Sequence, residues 1–131
     1  MKKSKILKGI LLILGLVLIL LGSWRLFDPI GFFENSGILL SNDVGLLSEA
    51  RATGGAVVGF GILVLAGAFI QKHSYTSTLV SIVLFLSFGI ARLIGWGLDG
   101  NPGEKLIQGI IFEFAFGLLG VFALFKYREV S

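Results

Sequence analysis

Residues 9–26 read GILLILGLVLILLGSWRL and follow the basic start Lys2-Lys3-Ser4-Lys5. Apart from Arg25 near its far end, the run holds only apolar, small or weakly polar residues. A bilayer crossing takes about 20 such residues in one helix, and this run supplies them. Three further runs follow: from Ala50-Arg51 through Val57, Phe60, Leu63 and Leu65 to Ile70; from Thr78 to Leu98; and from Leu106 to Phe125, before Lys126-Tyr127-Arg128. With their flanks, the predicted helices cover about residues 7–26, 50–70, 76–98 and 105–126, all within one domain spanning 1–131.

A chain of 131 residues that is 55% apolar and 15% charged, with mean hydropathy +0.94, cannot hide so much apolar surface in one water-soluble core. Lipid is part of its solvent, and four spans leave no room for a soluble domain. The predicted fold class is an all-α membrane protein, a bundle of four transmembrane helices. The net charge of +3 comes from basic residues at the ends of apolar runs, so topology explains it better than nucleic acid, which is not an expected partner. The absence of cysteine excludes disulfides, thiolate nucleophiles, lipoprotein acylation and Cys-ligated metals.

The links constrain the packing. Gln71-Lys72-His73-Ser74-Tyr75 is short, which predicts antiparallel neighbours for spans two and three. Leu98-Asp99-Gly100-Asn101-Pro102-Gly103 is a strong turn signal and makes spans three and four a second hairpin. The longer segment Phe27–Glu49, broken at Asp28-Pro29 and Asn42-Asp43, carries Phe32, Phe33, Ile38, Leu39, Leu40, Leu46 and Leu47. It is too short to span and too apolar to float free, so an interfacial position on the outer side or over the bundle is expected.

Lys2, Lys3, Lys5, Lys8, Lys72, Lys126 and Arg128 fall on one side; Arg25, Arg51, Arg92 and Lys105 fall on or toward the other, with Asp28, Glu34, Asp43, Glu49, Asp99 and Glu104. The richer basic side is expected to be cytoplasmic, which places both termini inside, in a bacterial cytoplasmic membrane. A competing reading takes the first run as a removable secretory leader. The run exceeds the apolar core of about 7–15 residues usual for leaders, and no A-x-A-like site closes it.

Two charges lie within spans. Arg92 stands about six residues inside the outer end of span three, roughly 9 Å deep, and Glu113 about eight residues after Lys105, roughly 12 Å deep. Intramembrane charges are costly and usually face the bundle interior and pair, and an antiparallel hairpin makes an Arg92–Glu113 pair natural. Phe85, Gly89, Trp96 and Asp99 share the face of Arg92, while Gly109 and Gly117 flank Glu113 one turn either way. On span two, Arg51, Gly55 and Gly59 recur every four residues beside Glu49, a small-xxx-small surface suited to helix contact within the chain or between copies. The polar-pocket candidates are therefore Glu49, Arg51, Arg92, Asp99 and Glu113; the helix-packing candidates are Gly55, Gly59, Gly109 and Gly117.

Each feature also has a plainer reading. Arg92 and Glu113 serve equally as a structural ion pair, and the glycines as packing surface. Gly54-Gly55 lacks the Lys-Ser/Thr ending of a phosphate loop. His73 has no carboxylate or other His nearby and reads as solvated. Trp24, Trp96, Tyr75 and Tyr127 stand near span ends, where an aromatic belt accounts for them. No metal-ligand set or cofactor motif is present, so no cofactor is expected.

The stretch Ser48-Glu49-Ala50-Arg51-Ala52-Thr53-Gly54-Gly55, with Gly59 and Gly61, then Arg92 and Asp99-Gly100-Asn101-Pro102, resembles a bacterial family of small four-helix membrane proteins known as domain of unknown function 4345. The resemblance covers nearly the whole chain. It implies the four-helix topology and draws attention to Glu49, Arg51, Arg92 and Asp99, but it implies no activity. A fainter likeness to DoxX-like four-helix proteins is one of fold alone.

The leading functional expectation is a non-enzymatic membrane module that binds a lipid, an apolar small molecule such as a quinone, or a partner helix, with Arg51 and Arg92 at a polar head. An ion- or proton-coupled transporter using Glu113 is the alternative. A membrane enzyme using Glu49, Asp99 or Glu113 ranks last, because no nucleophile, metal set or cofactor motif accompanies them. The expected partners are the bilayer, a bound lipid or apolar molecule, and further copies of the chain.

Overall fold

The structure is a computed structural model that describes residues 1–129. Its helices are α1 (Lys5–Phe27), α2 (Pro29–Asn35), α3 (Val44–Phe69), α4 (Ser74–Asp99) and α5 (Glu104–Tyr127), with a 3₁₀ turn at Gln71–His73 before α4. Among the described residues there is no strand. Helices α1, α3, α4 (with the turn before it) and α5 are each long and apolar enough to cross a membrane, which makes this a four-helix membrane protein.

Local chemistry sets the helix ends. The Ser4 hydroxyl accepts from the backbone N–H of Ile6 and Leu7 and caps α1. Asp28 caps α2 through the N–H of Gly31, with Pro29 in the first helical position. Asp43 caps α3 through the N–H of Leu46 at 2.9 Å. The second span accordingly opens at Val44, earlier than the Ala50 expected from hydropathy, because the cap and not the first continuous apolar run starts the helix. Gly100 and Gly103 both take φ +103°, a backbone region that suits glycine, and the Asn101 side chain accepts from the Gly103 N–H at 2.8 Å. These residues form the tight turn between α4 and α5.

Helix α1 is the one around which the others gather: 39% of its span is buried, against 22% in each of the other three. Leu7, Ile10, Leu11, Leu14 and Leu18 recur at helical spacing and form most of the core, with Val64, Phe85 and Ala123. Removing this helix as a leader would remove that core. Helices α3 and α4 pack together, as do α4 and α5, but the most extensive contact joins α1 to α3, the pair with the longest connection. Helices α3 and α5 stand at opposite corners.

Glycine makes the α1–α3 contact. A β-carbon on Gly54 would stand 2.8 Å from the Gly22 carbonyl oxygen and 2.7 Å from the Leu26 nitrogen. One on Gly22 would meet the Gly54 oxygen at 2.9 Å, and Gly15 and Gly61 are equally tight against Leu65 and Leu18. Of the packing glycines read from the sequence, Gly117 lies against Leu86, while Gly55, Gly59 and Gly109 have nothing within 4 Å of a built β-carbon. The neighbouring Gly54, about 100° around the helix from Gly55, is the residue turned to α1.

Hydroxyl groups join α3 to α4 near the 3₁₀ turn. Ser77 Oγ donates to the Leu63 carbonyl at 2.7 Å and Ser74 Oγ to the Gly67 carbonyl at 2.9 Å, while Thr78 and Ser81 donate to carbonyls of their own helix. All four are buried and satisfied, as an apolar interior requires. At the same end, the Lys2 N–H donates to the Tyr127 carbonyl at 2.6 Å and the Gln71 amide to the Met1 carbonyl at 2.6 Å. The start of α1, the α3–α4 link and the end of α5 thus meet. Tyr127, expected in an aromatic belt, is 6% exposed and belongs to the core, because this N-terminal arm folds over it.

Gly54→Ala drives a methyl group into backbone and is expected to destabilise the bundle by about 1–3 kcal/mol. Gly55→Ala meets open space and gains helix propensity, so it should be neutral or stabilising by up to about 1 kcal/mol. Unfolding midpoints in detergent, titrated with a denaturing surfactant, measure both.

Candidate functional site

The end of the bundle away from the chain termini collects the polar-pocket candidates, in two clusters. The first lies between α4 and α5. One turn of α4 separates Phe88 from Arg92, and two further turns lead through Trp96 to Asp99. Opposite them, α5 carries Leu106, Ile110 and Glu113. Arg92 Nε donates to Glu113 Oε1 at 2.7 Å, a charge-assisted bond between side chains that are 36% and 15% exposed. The Phe88 ring lies 5.9 Å from the guanidinium carbon. The α4–α5 contact that sets this register is made by Gly89 against the Phe114 ring, Gly117 against Leu86 and Gly120 against Ile82.

Only one donor of Arg92 is used. Its two terminal nitrogens make no hydrogen bond among the described residues, and the side chain lines an open cleft of about 300 Å³ with Trp96, Asp99, Asn101, Leu106 and Ile110. Asp99 is exposed on this cleft and takes no hydrogen bond or ion pair among the described residues. A second recess, between α3 and α4, is lined only by apolar groups such as Phe60, Val83 and Leu84.

The second cluster joins α1 to α3. Arg51 Nη1 donates to the Leu26 carbonyl at 2.7 Å and to the Phe27 carbonyl at 3.4 Å, so it satisfies the last carbonyls of α1. In return, Arg25 Nε donates to the Ala50 carbonyl on α3 at 3.0 Å. Its guanidinium carbon lies 4.8 Å from the Phe33 ring centre and 5.9 Å from that of Phe32, and Phe32 meets Trp24 edge to face.

The five candidates therefore divide. Arg92, Glu113 and Asp99 share the α4–α5 cluster. Arg51 turns toward α1, and Glu49 is exposed on α3 with its backbone carbonyl accepting from Thr53 Oγ1 at 3.2 Å. Helices α3 and α5 are not neighbours, so a single pocket holding all five does not form. Arg25 was not singled out by its sequence context. Its signal was a cation one turn before the Asp28-Pro29 stop, where helix carbonyls lack partners. Among the described residues, no three His, Cys, Asp or Glu side chains cluster to hold a metal ion.

The family described as "Domain of unknown function (DUF4345)" matches residues 6–124, from the start of α1 nearly to the end of α5. The chain belongs to this family. No curated protein and no solved structure matches it. In this DUF4345 protein, the family's extent coincides with the four spans and includes both polar clusters.

Removing one partner from the Arg92–Glu113 bond strands the other in a mostly apolar setting. Glu113→Gln is expected to cost about 1–3 kcal/mol, and the double change Arg92→Gln/Glu113→Gln less than the sum of the two single changes. Asp99→Asn, which breaks no contact, should stay within about 0.5 kcal/mol of the parent. A double-mutant cycle of unfolding free energies in detergent checks all three.

Proposed function

We propose that this DUF4345 protein is a non-enzymatic binding module whose α4–α5 cleft receives the polar head of an apolar, membrane-resident molecule. One observation carries the reading: Arg92 is held by Glu113 through a single N–H, makes no other hydrogen bond among the described residues, and lines an open cleft with Trp96, Leu106 and Ile110, Asp99 and Asn101 at its polar end. A guanidinium used only to lock two helices has no need of free donors on a recess. Planar, rigidly held and weakly hydrated, it suits phosphate, carboxylate or carbonyl oxygen. The cleft volume sits at the lower end of small-molecule sites, the scale of a headgroup whose chains lie outside in lipid.

The transporter alternative needs Glu113 free to exchange a proton or ion. Its bond to Arg92 would have to break in every cycle, which favours a fixed support over a carrier. In the proposed orientation, Lys2, Lys3, Lys5, Lys8, Lys72, Lys126 and Arg128 face the cytoplasm of a bacterial cell, and the cleft opens in the outer leaflet. The segment 28–43, with Ile30 and Leu39 exposed, lies along the outer interface.

Native mass spectrometry from a mild detergent tests the binding. The wild-type chain is expected to carry co-purified lipid-sized adducts that diminish in Arg92→Gln; a bare wild-type chain would overturn the proposal. The chain's freedom from cysteine allows a separate test of orientation. In intact cells, a membrane-impermeant maleimide is expected to label Asn101→Cys and to spare Lys72→Cys, and the reverse pattern would invert the topology.

A further inference from the structure

Within the binding reading above, on which this inference rests, we infer that the α4–α5 cleft selects a zwitterionic aminophospholipid head, with the phosphate at Arg92 and the primary ammonium at Asp99. The cleft has two poles. Arg92 offers unused donors, and Glu113 has already neutralised its charge, so the site as a whole is not cationic. An anionic lipid without an ammonium would therefore leave Asp99 facing it as a like charge.

Asp99 stands in a place that helix chemistry disfavours. It is the last residue of α4, where the exposed carbonyl end already carries partial negative charge, and no basic residue occupies that last turn. It makes no hydrogen bond or ion pair among the described residues that would offset this. A cationic ligand group would. The Trp96 ring lining the same cleft adds a face suited to an ammonium.

The order along the membrane normal also fits. Asp99 lies two turns of α4 beyond Arg92, about 10 Å closer to the helix end at 1.5 Å per residue. Travelling outward from the bilayer centre, the cleft thus presents apolar wall, then guanidinium, then carboxylate. An aminophospholipid presents acyl chain, then phosphate, then ammonium, in that same sequence. The turn Gly100-Asn101-Pro102-Gly103, held by its two glycines and the Asn101 bond, fixes the outer rim.

The experiment uses the full chain in mild detergent, delipidated and offered equal amounts of phosphatidylethanolamine and phosphatidylglycerol with matched acyl chains, with retention read by native mass spectrometry. Wild type is expected to retain the ethanolamine lipid about tenfold over the glycerol lipid, the effect of one charge-assisted hydrogen bond. Asp99→Asn should erase that preference by weakening ethanolamine-lipid retention and relieving the repulsion of the glycerol lipid, and Arg92→Gln should weaken both. Asp99 supports no contact, so its variant carries the test even where Arg92→Gln fails to fold. Soluble phosphoethanolamine at the same concentration should not displace the lipid; displacement would overturn the lipid assignment in favour of a free headgroup. Equal retention of both lipids by wild type and Asp99→Asn would overturn this inference and leave the binding reading standing. Retention of neither lipid by wild type would overturn both.

Discussion

The bundle depends on the approach of α1 to α3 across paired glycines. Without side chains at Gly15, Gly22, Gly54 and Gly61, two backbones come into contact over about three turns of each helix. In lipid the hydrophobic effect gives helices no reason to prefer one another over acyl chains, so close packing and interhelical hydrogen bonds must hold them. The same proximity lets Arg51 reach the end of α1 and Arg25 reach the Ala50 carbonyl. It also sets Leu11, Leu14 and Val64 side by side, and the other helices close on that core.

The sequence was most informative where the physics is local. Span lengths follow from apolar runs, and helix boundaries follow from residues whose chemistry acts on their own neighbours: Ser4, Asp28, Asp43, Gly100 and Gly103. The start of α3 lies ahead of its apolar run because capping by Asp43 outweighs hydropathy there, and the short helix α2 has no counterpart among the expected helices. Packing was less legible. Gly54 and Gly55 are adjacent and identical, and only knowledge of the partner helix distinguishes the one that packs from the one that does not. Loop lengths limit which helices can be neighbours but do not rank them, so the tightest pair was the one with the longest link.

The candidate site shows the same division. Matching depths on a hairpin with a tight turn were enough to bring Arg92 and Glu113 together on paper, since the register of such a hairpin is nearly fixed by its turn. Arg51 and Glu49 needed long-range information. Their position on α3 left open which neighbour they faced, and α1 claimed Arg51. The hydroxyls of Ser74 and Ser77 pass in a sequence as mild interruptions of an apolar run. Their bonds to α3 carbonyls become visible only once the two helices are placed, although a buried hydroxyl always requires a partner.

The ion pair also bears on how the chain enters the membrane. Threaded alone, α4 would carry an unpaired guanidinium into hydrocarbon and α5 an unpaired carboxylate, each at an insertion cost of about 2–4 kcal/mol. The four-residue turn between them is short enough for the charges to meet as the second helix leaves the translocation machinery. Biogenesis therefore favours a hairpin that partitions as one neutral unit.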